Sequence, residues 1–241
     1  MAVIEITNLT KKYKETMALK EVSLSVKKGE LFGLLGENGA GKTTLIKILC
    51  GLTKKTEGRV IVNGLDLDNQ IDKIKEIIGI SPQENAVAQN LTVEENLQFF
   101  ANVYNSVNSE YLQQIIEVFS LKTVLNKKAK TLSGGYNKRL SVAIALISKP
   151  IILFLDEPTL GLDVVARRKL WEIIKELKGK ITIILTSHYL EEIENLCDRV
   201  AILSNGKLLE IDTVENLKQK TGANTFEDAF VELVGKEGEG V

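Results

Sequence analysis

The positions of apolar residues along the chain predict short strands that alternate with amphipathic helices. Four runs are almost wholly apolar and have the length of strands: Leu31–Leu35, Ile77–Ile80, Ile151–Leu155 and Ile181–Leu185. Continuous apolar runs of this kind are typical of parallel strands that helices cover on both faces. The pattern therefore favours an α/β fold with a central, mostly parallel sheet.

A second kind of strand alternates apolar and polar residues, which is typical of a sheet with one face in solvent. Val3–Ile6 and Val22–Val26 alternate in this way, and Val60–Val62 runs into the turn Asn63-Gly64. Because Asn-Gly favours a tight hairpin, we expect an antiparallel β subdomain near the N-terminus. Thr10–Lys14 is polar and basic, and we expect it to form a turn.

Three amphipathic helices are predicted between residues 84 and 150. Thr92 and Glu95 have the spacing of a capping box ahead of the first helix. Apolar residues recur at helical spacing in the second, and Ser133 can cap the third, which Pro150 ends. Since this region lies between two apolar strands, we expect a mostly helical subdomain inserted at about residues 84–150.

The C-terminal part continues the alternation of strand and helix. Asp163 can cap a helix after the third apolar strand, and Phe226 and Phe230 indicate a short helix near the end. Residues 236–241 are polar and glycine-rich, so we expect a disordered tail there. These patterns predict one domain over residues 1–222, followed by a short helix and a tail over 223–241.

The composition excludes some classes of protein. The chain has 241 residues, 44% hydrophobic and 26% charged, with a formal net charge of -1. This balance is typical of a globular protein and does not favour binding to nucleic acid. We expect the two cysteines, Cys50 and Cys197, to be buried free thiols in a reducing compartment. We find no signal peptide and no apolar run near the ~20 residues of a membrane span.

The segment Gly36–Thr43 reads G-x-x-x-x-G-K-T between an apolar strand and an apolar helix, as in the phosphate-binding loop of nucleoside triphosphatases. Its glycines let backbone N–H groups point inward, and the helix start adds partial positive charge. Lys42 can reach the β- and γ-phosphates, and the Thr43 hydroxyl can ligate Mg²⁺. The alternative is an ordinary glycine-rich turn, which the strand–turn–helix context disfavours.

Each of the other three apolar strands also ends in a polar group. Asp156 directly follows a buried strand and can hold Mg²⁺, while Glu157 is the candidate to polarise an attacking water. Gln83 offers an amide oxygen to Mg²⁺ and the water, and His188 can hydrogen-bond the γ-phosphate. Because ligands of parallel sheets bind at the carboxyl ends of strands, we expect these groups to converge on one nucleotide.

Each of these residues also has a simpler interpretation. Asp156 and Glu157 could be two solvated acids, and Gln83 could be an ordinary surface amide. His188 is the one histidine of the chain, and a lone histidine is more often structural than catalytic. Their shared position at strand ends is what favours the nucleotide site.

The stretch Leu132–Tyr136 permits two interpretations. Ser133 can cap the following helix, and Gly134 and Gly135 can expose its first N–H groups to an anion. The same residues also suit an ordinary helix cap with a flexible lead-in. The physical chemistry of the residues alone does not separate the two.

Together these motifs resemble the nucleotide-binding subunit of ATP-binding cassette (ABC) transporters. The resemblance covers nearly the whole chain, and its most specific feature is Leu132–Tyr136 placed between Gln83 and Asp156. It implies a phosphate-loop NTPase sandwich, with an antiparallel β subdomain and an inserted α-helical signature subdomain. It also implies ATP and Mg²⁺ as cofactors, with Thr43, Gln83 and Asp156 at the metal and Glu157, Gln83 and His188 in catalysis. By the same resemblance, the following residues bind the nucleotide: Tyr13, Gly36, Glu37, Asn38, Gly39, Ala40, Gly41, Lys42, Thr43, Thr44, Ser133, Gly134, Gly135 and Asp163.

The family resemblance also implies partners. Two cassettes pack head to tail in this family, with ATP between the phosphate loop of one and Ser133–Gly135 of the other. Closure drives a separate transmembrane permease, so we expect a cytoplasmic protein, peripheral on the inner face of the cell membrane, in a homodimer. The stretches Thr92–Phe100 and Ser187–Glu192 resemble the export branch. Tyr136 replaces the usual glutamine, which we expect to change contact strength and not mechanism.

Two other functions remain as alternatives. One is a soluble cassette ATPase that acts on ribosomes or nucleic acid, but such relatives usually have two cassettes in one chain or long coiled-coil arms. The other is a nucleotide-dependent scaffold without turnover, which the presence of Glu157 and His188 disfavours.

Overall fold

A computed structural model of the chain describes residues 1–84, 86–104 and 108–238. Its strands are β1 (Ala2–Tyr13), β2 (Thr16–Lys27), β3 (Leu31–Leu35), β4 (Glu57–Val62), β5 (Leu65–Asp66), β6 (Ile78–Ser81), β7 (Ile152–Asp156), β8 (Thr182–Ser187), β9 (Arg199–Ser204) and β10 (Lys207–Asp212). Within these residues the strands form a four-stranded sheet of order β2-β1-β4-β5 and a six-stranded sheet of order β10-β9-β3-β8-β7-β6.

The helices flank the sheets and connect their strands. They are α1 (Lys42–Leu49), α2 (Ile71–Ile77), α3 (Val93–Tyr104), α4 (Ser109–Val118), α5 (Gly134–Ile147), α6 (Val164–Leu177), α7 (Leu190–Leu196), α8 (Val214–Thr221) and α9 (Phe226–Gly238). Short 3₁₀ turns lie at Lys122–Val124 and Ala129–Thr131, between α4 and α5. No helix in the described ranges has both the length and the apolar content that crossing a membrane requires.

The six-stranded sheet confirms the predicted parallel arrangement. β3, β8, β7 and β6 are consecutive parallel neighbours, and β9 runs parallel to the other side of β3. Every residue of β3, β7 and β8 is buried. Alternate side chains of β3 enter different cores, with Leu31 and Leu35 on one face and Phe32 and Leu34 on the other. Because successive side chains point to opposite faces and both faces are buried, the strand is a continuous apolar run in the sequence.

The four-stranded sheet confirms the antiparallel subdomain but corrects one turn. β4 and β5 are joined through Asn63 and Gly64, both at positive φ, as the Asn-Gly signal predicts. The expected turn over Thr10–Lys14 is wrong for most of its length, because β1 continues to Tyr13, which pairs with Thr16. Strands at the exposed end of a hairpin can pair even when their residues are polar. A polar composition therefore does not distinguish a turn from a strand at that position.

The predicted helical insertion is present between the neighbouring strands β6 and β7. The capping box at the start of α3 is reciprocal. The Glu95 backbone N–H donates to Thr92 Oγ1 at 3.1 Å, and the Thr92 N–H donates to Glu95 Oε2 at 2.7 Å. The inner faces of α3, α4 and α5 belong to the same apolar core as β7 and β8. The contacts of α5 with this core fix the orientation of its first turn.

Two boundaries differ from the sequence-based expectation. Ile77 ends α2 and does not begin the next strand, which covers Ile78–Ser81. α9 continues through residue 238, so the disorder expected from Lys236 is wrong for residues 236–238, and residues 239–241 lie outside the described ranges. Phe226 and Ala229 are buried and anchor this helix, which then propagates at little cost.

Candidate functional site

Most of the predicted site residues lie at one edge of the six-stranded sheet. The four parallel strands β3, β8, β7 and β6 lie side by side, so the segments after their carboxyl ends emerge together. A pocket of about 230 Å³ lies at this edge. Its lining consists of Ala18, Asn38, Gly39, Ala40, Gly41, Lys42, Thr43, Thr44, Gln83 and Glu157.

The phosphate-loop segment has the backbone shape that an anion cradle requires. Gly41 has φ of 107° and directly precedes α1, and a Cβ atom there would lie 2.7 Å from the carbonyl oxygen of Ala18. Both the positive φ and the close approach exclude larger residues at Gly41. The first N–H groups of α1 have no partner within their helix, so they are available, with partial positive charge, to bind an anion.

Lys42 places a buried cation beside this cradle. Its side chain is 5% exposed, and Nζ donates to the carbonyl oxygens of Gly36 at 2.6 Å and Glu37 at 3.0 Å. Burial lowers the pKa of the ammonium, while the carboxylates of Glu157 and Asp156 act in the opposite direction. Phosphate oxygens at this position would add negatively charged hydrogen-bond acceptors next to the buried ammonium.

Asp156 and Thr43 form an oxygen pair that suits a magnesium ion. Thr43 Oγ1 donates to Asp156 Oδ1 at 3.3 Å, and Thr186 Oγ1 donates to the same oxygen at 2.6 Å. The described part of the chain contains no group of three or more His, Cys, Asp or Glu that could hold a metal by themselves. Mg²⁺ usually keeps several waters and binds through one or two protein oxygens plus phosphates, so this donor set fits it.

Glu157 points away from Asp156 because its backbone is left-handed. Its φ is 48°, and its N–H donates to Thr186 Oγ1 at 2.9 Å. The carboxylate oxygen Oε1 lies 3.2 Å from His188 Nδ1 and 3.9 Å from Lys42 Nζ. A non-glycine residue in the left-handed region costs roughly 1–3 kcal/mol. At Glu157 this conformation directs the carboxylate away from that of Asp156.

His188 and Gln83 both reach this edge of the sheet, as predicted. Nδ1 of His188 is buried and has no hydrogen bond of good geometry to any described residue, despite its closeness to Glu157. Gln83 lines the pocket, and its backbone carbonyl accepts a hydrogen bond from Lys138 at 2.7 Å. The side chains of His188 and Glu157 therefore lie in contact at this edge of the sheet.

Seven of the predicted nucleotide contacts do not line this pocket: Tyr13, Gly36, Glu37, Ser133, Gly134, Gly135 and Asp163. Tyr13 lies 42% exposed at the end of the β1–β2 hairpin, whose second strand carries Ala18 into the pocket. Asp163 caps α6 as expected, because Oδ1 accepts from the Val165 and Ala166 N–H groups at 2.9 Å each. No structural feature places Asp163 at a nucleotide within one copy of the chain.

Ser133 occupies the N-cap position of α5, but its side chain makes no capping hydrogen bond. Ser133 and Gly134 are both exposed. The predicted capping role of the Ser133 side chain is therefore wrong in this structure, and its hydroxyl and the first N–H groups of α5 face solvent. The start of α5 therefore does not contribute to the chain's own pocket.

Two residues at the site had no predicted role. The Thr186 hydroxyl joins Asp156 to the backbone of Glu157 and so fixes the turn between them. Lys138 is 5% exposed on α5 and holds the segment of Gln83. The sequence signal was weak for both residues: one is a threonine in an apolar strand, and the other is a lysine at the start of the buried part of α5.

Comparison with protein families supports the same assignment. The family model described as "ABC transporter" matches residues 19–160. A second model, described as "AAA domain, putative AbiEii toxin, Type IV TA system", matches the shorter range 137–194.

Curated relatives carry names of the same kind. The "Probable multidrug ABC transporter ATP-binding protein YbhF" of Escherichia coli (strain K12) is 39% identical over 241 residues, which cover 96% of this chain and 42% of that protein. The "Linearmycin resistance ATP-binding protein LnrL" of Bacillus subtilis (strain 168) is 38% identical over 228 residues, which cover 93% of this chain and 73% of that protein. The chain thus spans less than half of the Escherichia coli relative.

Solved structures share the fold. One titled "Structure of ATP binding subunit of ABC transporter" has a TM-score of 0.86 at 30% identity and covers 96% of this chain and 99% of its own. Another, the "Dimeric structure of a post-hydrolysis state of the ATP-binding cassette MJ0796 bound to ADP and Pi", has a TM-score of 0.78 at 27% identity. It covers 87% of this chain and 98% of its own.

Proposed function

The chain belongs to the ABC transporter family, and we propose that it is a subunit that hydrolyses ATP to power a separate membrane permease. Its place in the family rests on the matched model and on relatives of known name. The proposal concerns the finer points: turnover, the roles of individual residues and the partners. We also propose that residues 1–222 form one ATPase domain with the helical insertion at about 84–150.

One observation carries the catalytic proposal: Glu157 Oε1 lies within 4 Å of both Lys42 Nζ and His188 Nδ1, at the edge where four strands end. Lys42 and the N–H groups of α1 would bind the β- and γ-phosphates. Glu157 would orient and polarise a water beside the γ-phosphate, and His188 would hydrogen-bond that phosphate. Gln83, which also lines the pocket, would contact the same water.

Magnesium has a place in this scheme. Thr43 and Asp156 would hold Mg²⁺ next to the β- and γ-phosphates, with Gln83 as a further oxygen ligand. The bound ion would neutralise charge on the phosphate oxygens during transfer. The adenine would extend out of the pocket toward the exposed ring of Tyr13, which can stack on it.

A second cassette would complete the site. Ser133 and Gly134 are exposed at the start of α5 and do not line the chain's own pocket. A helix start that faces solvent with unpaired N–H groups can bind the γ-phosphate of a partner copy. We propose a head-to-tail homodimer, with Asp163 near the same interface, and the dimeric assembly named in the MJ0796 title supports it.

The permease partner and the direction of transport rest on the relatives' names. Two of them are named for multidrug transport and linearmycin resistance, which supports an exporter. We propose that the chain lies on the inner face of the cell membrane through its permease and has no nucleic-acid partner. The formal net charge of -1 is consistent with the last point.

The test uses the Glu157→Gln variant, which keeps the shape of the side chain but cannot act as a base. Its mass in solution, measured by light scattering with and without Mg·ATP, should rise from monomer to dimer only with nucleotide. Adding Ser133→Arg should abolish the rise, because a bulky cation would block the second anion site. Steady-state ATPase activity of the wild type that survives in Glu157→Gln would refute the catalytic role. A monomer at saturating Mg·ATP would refute the homodimer.

A further inference from the structure

A pocket of about 390 Å³ lies where the helical insertion meets the rest of the domain. Its lining comes from α4, from the C-terminal ends of α5 and α6, and from the residues just before β7 and β8. The nucleotide site, in contrast, follows the carboxyl ends of these strands. The pocket therefore lies at the opposite end of the sheet, and its volume is within the roughly 300–1,000 Å³ typical of small-molecule sites.

This pocket is apolar over most of its lining. The exceptions among the lining residues are Gln114, Lys149 and Lys180. Of the apolar members, Ile115 on α4 is buried and Leu177 at the end of α6 is partly exposed. Water that fills such a concave apolar surface is displaced favourably by an apolar ligand.

Tyr111 gives the pocket a wall that is already formed. Its hydroxyl donates to the carbonyl oxygen of Leu146 at 2.9 Å, which joins α4 to the end of α5. Burial raises the pKa of Tyr111, so the hydroxyl stays protonated and keeps this bond at neutral pH. Because the polar atom of the tyrosine already has a partner, Tyr111 offers its ring to a ligand.

Two cations border this apolar surface. Lys149 Nζ lies 4.5 Å from the centre of the Tyr111 ring, and Lys180 lies in the turn before β8. Neither lysine forms a salt bridge within the described ranges, and no aspartate or glutamate of those ranges lines the pocket. A lysine beyond a helix end complements the helix dipole. That effect accounts for each charge separately, but not for the apolar pocket between them.

A second pocket, of about 580 Å³, adjoins the first one. The two share Pro150, Lys180 and Ile181 in their linings. The second pocket adds Lys28 and Asn63, and again has no acidic residue among the described ones. Lys180 thus lies where an apolar pocket meets a more polar, positively charged one. A ligand with an apolar part and an anionic end matches this arrangement.

We propose that the first pocket binds a small amphiphile free in solution, with one apolar chain and an anionic head, such as a medium-chain carboxylate. The chain occupies the apolar lining, and the head pairs with Lys149 and Lys180. The site goes beyond the ATPase function and does not depend on it, because the two pockets have no lining residue in common.

The first experiment compares ligands by isothermal titration calorimetry on the full chain, at concentrations below those at which micelles form. Octanoate should bind, octanol should bind about tenfold more weakly, and octyltrimethylammonium should not bind measurably. Decanoate should bind about tenfold more tightly than octanoate, because each buried methylene strengthens binding about fourfold. Equal affinity for the three octyl compounds, or no binding of either carboxylate, would overturn the proposal.

The second experiment removes the two cations. The double variant Lys149→Gln with Lys180→Gln should weaken decanoate binding about tenfold, since both ion pairs with the head are lost. Lys175→Gln is the control, because Lys175 is exposed on α6 and does not line the pocket. Its affinity for decanoate should equal that of wild type. If the double variant also binds decanoate as tightly as wild type, charge does not select the ligand and the proposal is wrong.

A pair of neighbouring glutamines on α4 tests the location. Gln114→Glu adds a carboxylate to the lining without a change of shape and should weaken decanoate binding about threefold. Gln113→Glu adds the same charge at an exposed position outside the lining and should have no effect. Equal effects of the two variants would mean that only the overall charge matters, which contradicts a site in this pocket.

Nucleotide competition completes the test. The affinity for decanoate should stay within about twofold at saturating Mg·ADP, because the two sites lie at opposite ends of the sheet. Displacement of decanoate by the nucleotide would place it in the nucleotide pocket and overturn the proposal. A protein without ATPase activity would refute the proposed function, while the binding of decanoate would still decide this inference.

Discussion

The Nζ atom of Lys138 lies 2.7 Å from the backbone carbonyl oxygen of Gln83. This hydrogen bond ties α5, which begins with the exposed Gly134, to the segment that lines the nucleotide pocket. Burial lowers the pKa of the Lys138 ammonium, and the charges of Asp156 and Glu157 act in the opposite direction. One buried cation therefore connects the chain's own site with the helix that we propose to serve a partner's site.

Replacing Lys138 by methionine should separate activity from stability. The Gln83 segment loses its donor, so we expect ATP turnover to fall about tenfold. The melting temperature should stay equal or rise, because methionine has similar length and removes the cost of burying a charge. Lys175→Met, at an exposed position of α6, is the control and should change neither property. A loss of melting temperature in step with turnover would show that Lys138 is merely structural.

The parallel sheet and the polar residues at the ends of its strands could be predicted from the sequence, because several independent patterns indicate them. Four apolar strands each end in a polar group, and a phosphate loop needs the geometry that Gly41 and Lys42 supply. The residues at which helices and strands begin and end were harder to predict from the sequence. Ile77 and Ile78 form one apolar run although a helix ends and a strand begins between them, so hydropathy has no break there.

The finer structure of the site depends on features that a sequence pattern does not carry. The roles of Asp156 and Glu157 separate through a positive φ at Glu157 and a hydroxyl from the neighbouring strand, Thr186. Lys138 acts at a distance in sequence, on a carbonyl group of Gln83 that only tertiary packing brings close. Local propensity and periodicity describe single elements, and therefore miss contacts between them.

Tyr136 should contribute to stability more than to nucleotide chemistry. The Arg139 guanidinium lies 4.1 Å from the centre of its ring, and its hydroxyl is 3.4 Å from Thr123 Oγ1. Tyr136→Ala should lower the free energy of unfolding by about 1–2 kcal/mol through loss of the cation–π contact and packing. Tyr136→Phe keeps the ring and should lose less than about 0.5 kcal/mol, which urea unfolding can resolve.

Tyr136→Gln places the residue usual in this family at the same position. We expect the Mg·ATP concentration that drives dimerisation of Glu157→Gln to change by less than about tenfold, since backbone N–H groups are unaltered. A complete loss or a much larger gain of dimer in the light-scattering measurement would show that Tyr136 contacts the partner's nucleotide directly.

Asp212 should make part of the stability depend on acidic pH. Its carboxylate accepts hydrogen bonds from Asn216 at 2.7 Å and Thr213 at 2.8 Å and lies 3.0 Å from Lys220 Nζ. The hydrogen bonds to Asn216 and Lys220, with that from the Thr213 backbone, lower the pKa of Asp212 from 3.8 to about 2. A lowered carboxyl pKa gives stabilisation that is present above 3.8 and is lost as pH falls toward 2.

The measurement for Asp212 is the melting temperature of Asp212→Asn as a function of pH. We expect it to lie roughly 1–3 °C below wild type at neutral pH, a small value because the group is partly screened by solvent. The difference should shrink as pH falls through the window from 3.8 to about 2. Glu215→Gln, on α8, where the exposed Glu215 carboxylate pairs with Lys218, should show neither effect. A difference that is constant down to pH 3 would contradict the assignment of the shift to Asp212.

The last prediction concerns the contact between α5 and α6. A Cβ atom at Gly135 would lie 2.8 Å from Ala166 Cβ, whereas one at Gly134 would lie 3.6 Å from Leu162 Cδ2. The first distance is a clash and the second an ordinary contact. Gly135→Ala should therefore lower the free energy of unfolding by about 2 kcal/mol, and Gly134→Ala should change it by less than about 1 kcal/mol.

A compensating change distinguishes this clash from a loss of backbone freedom. Ala166→Gly removes the opposing methyl group, so the double variant Gly135→Ala with Ala166→Gly should be more stable than the sum of its single changes by about 1 kcal/mol or more. Additive single effects would mean that α5 and α6 can separate without cost. In that case the start of α5 is free to move relative to Asp163, and its exposed glycines are not held in place by α6. Coupling in the cycle would instead show that the start of α5, which we propose to bind an anion, is held rigidly against the helix that Asp163 caps.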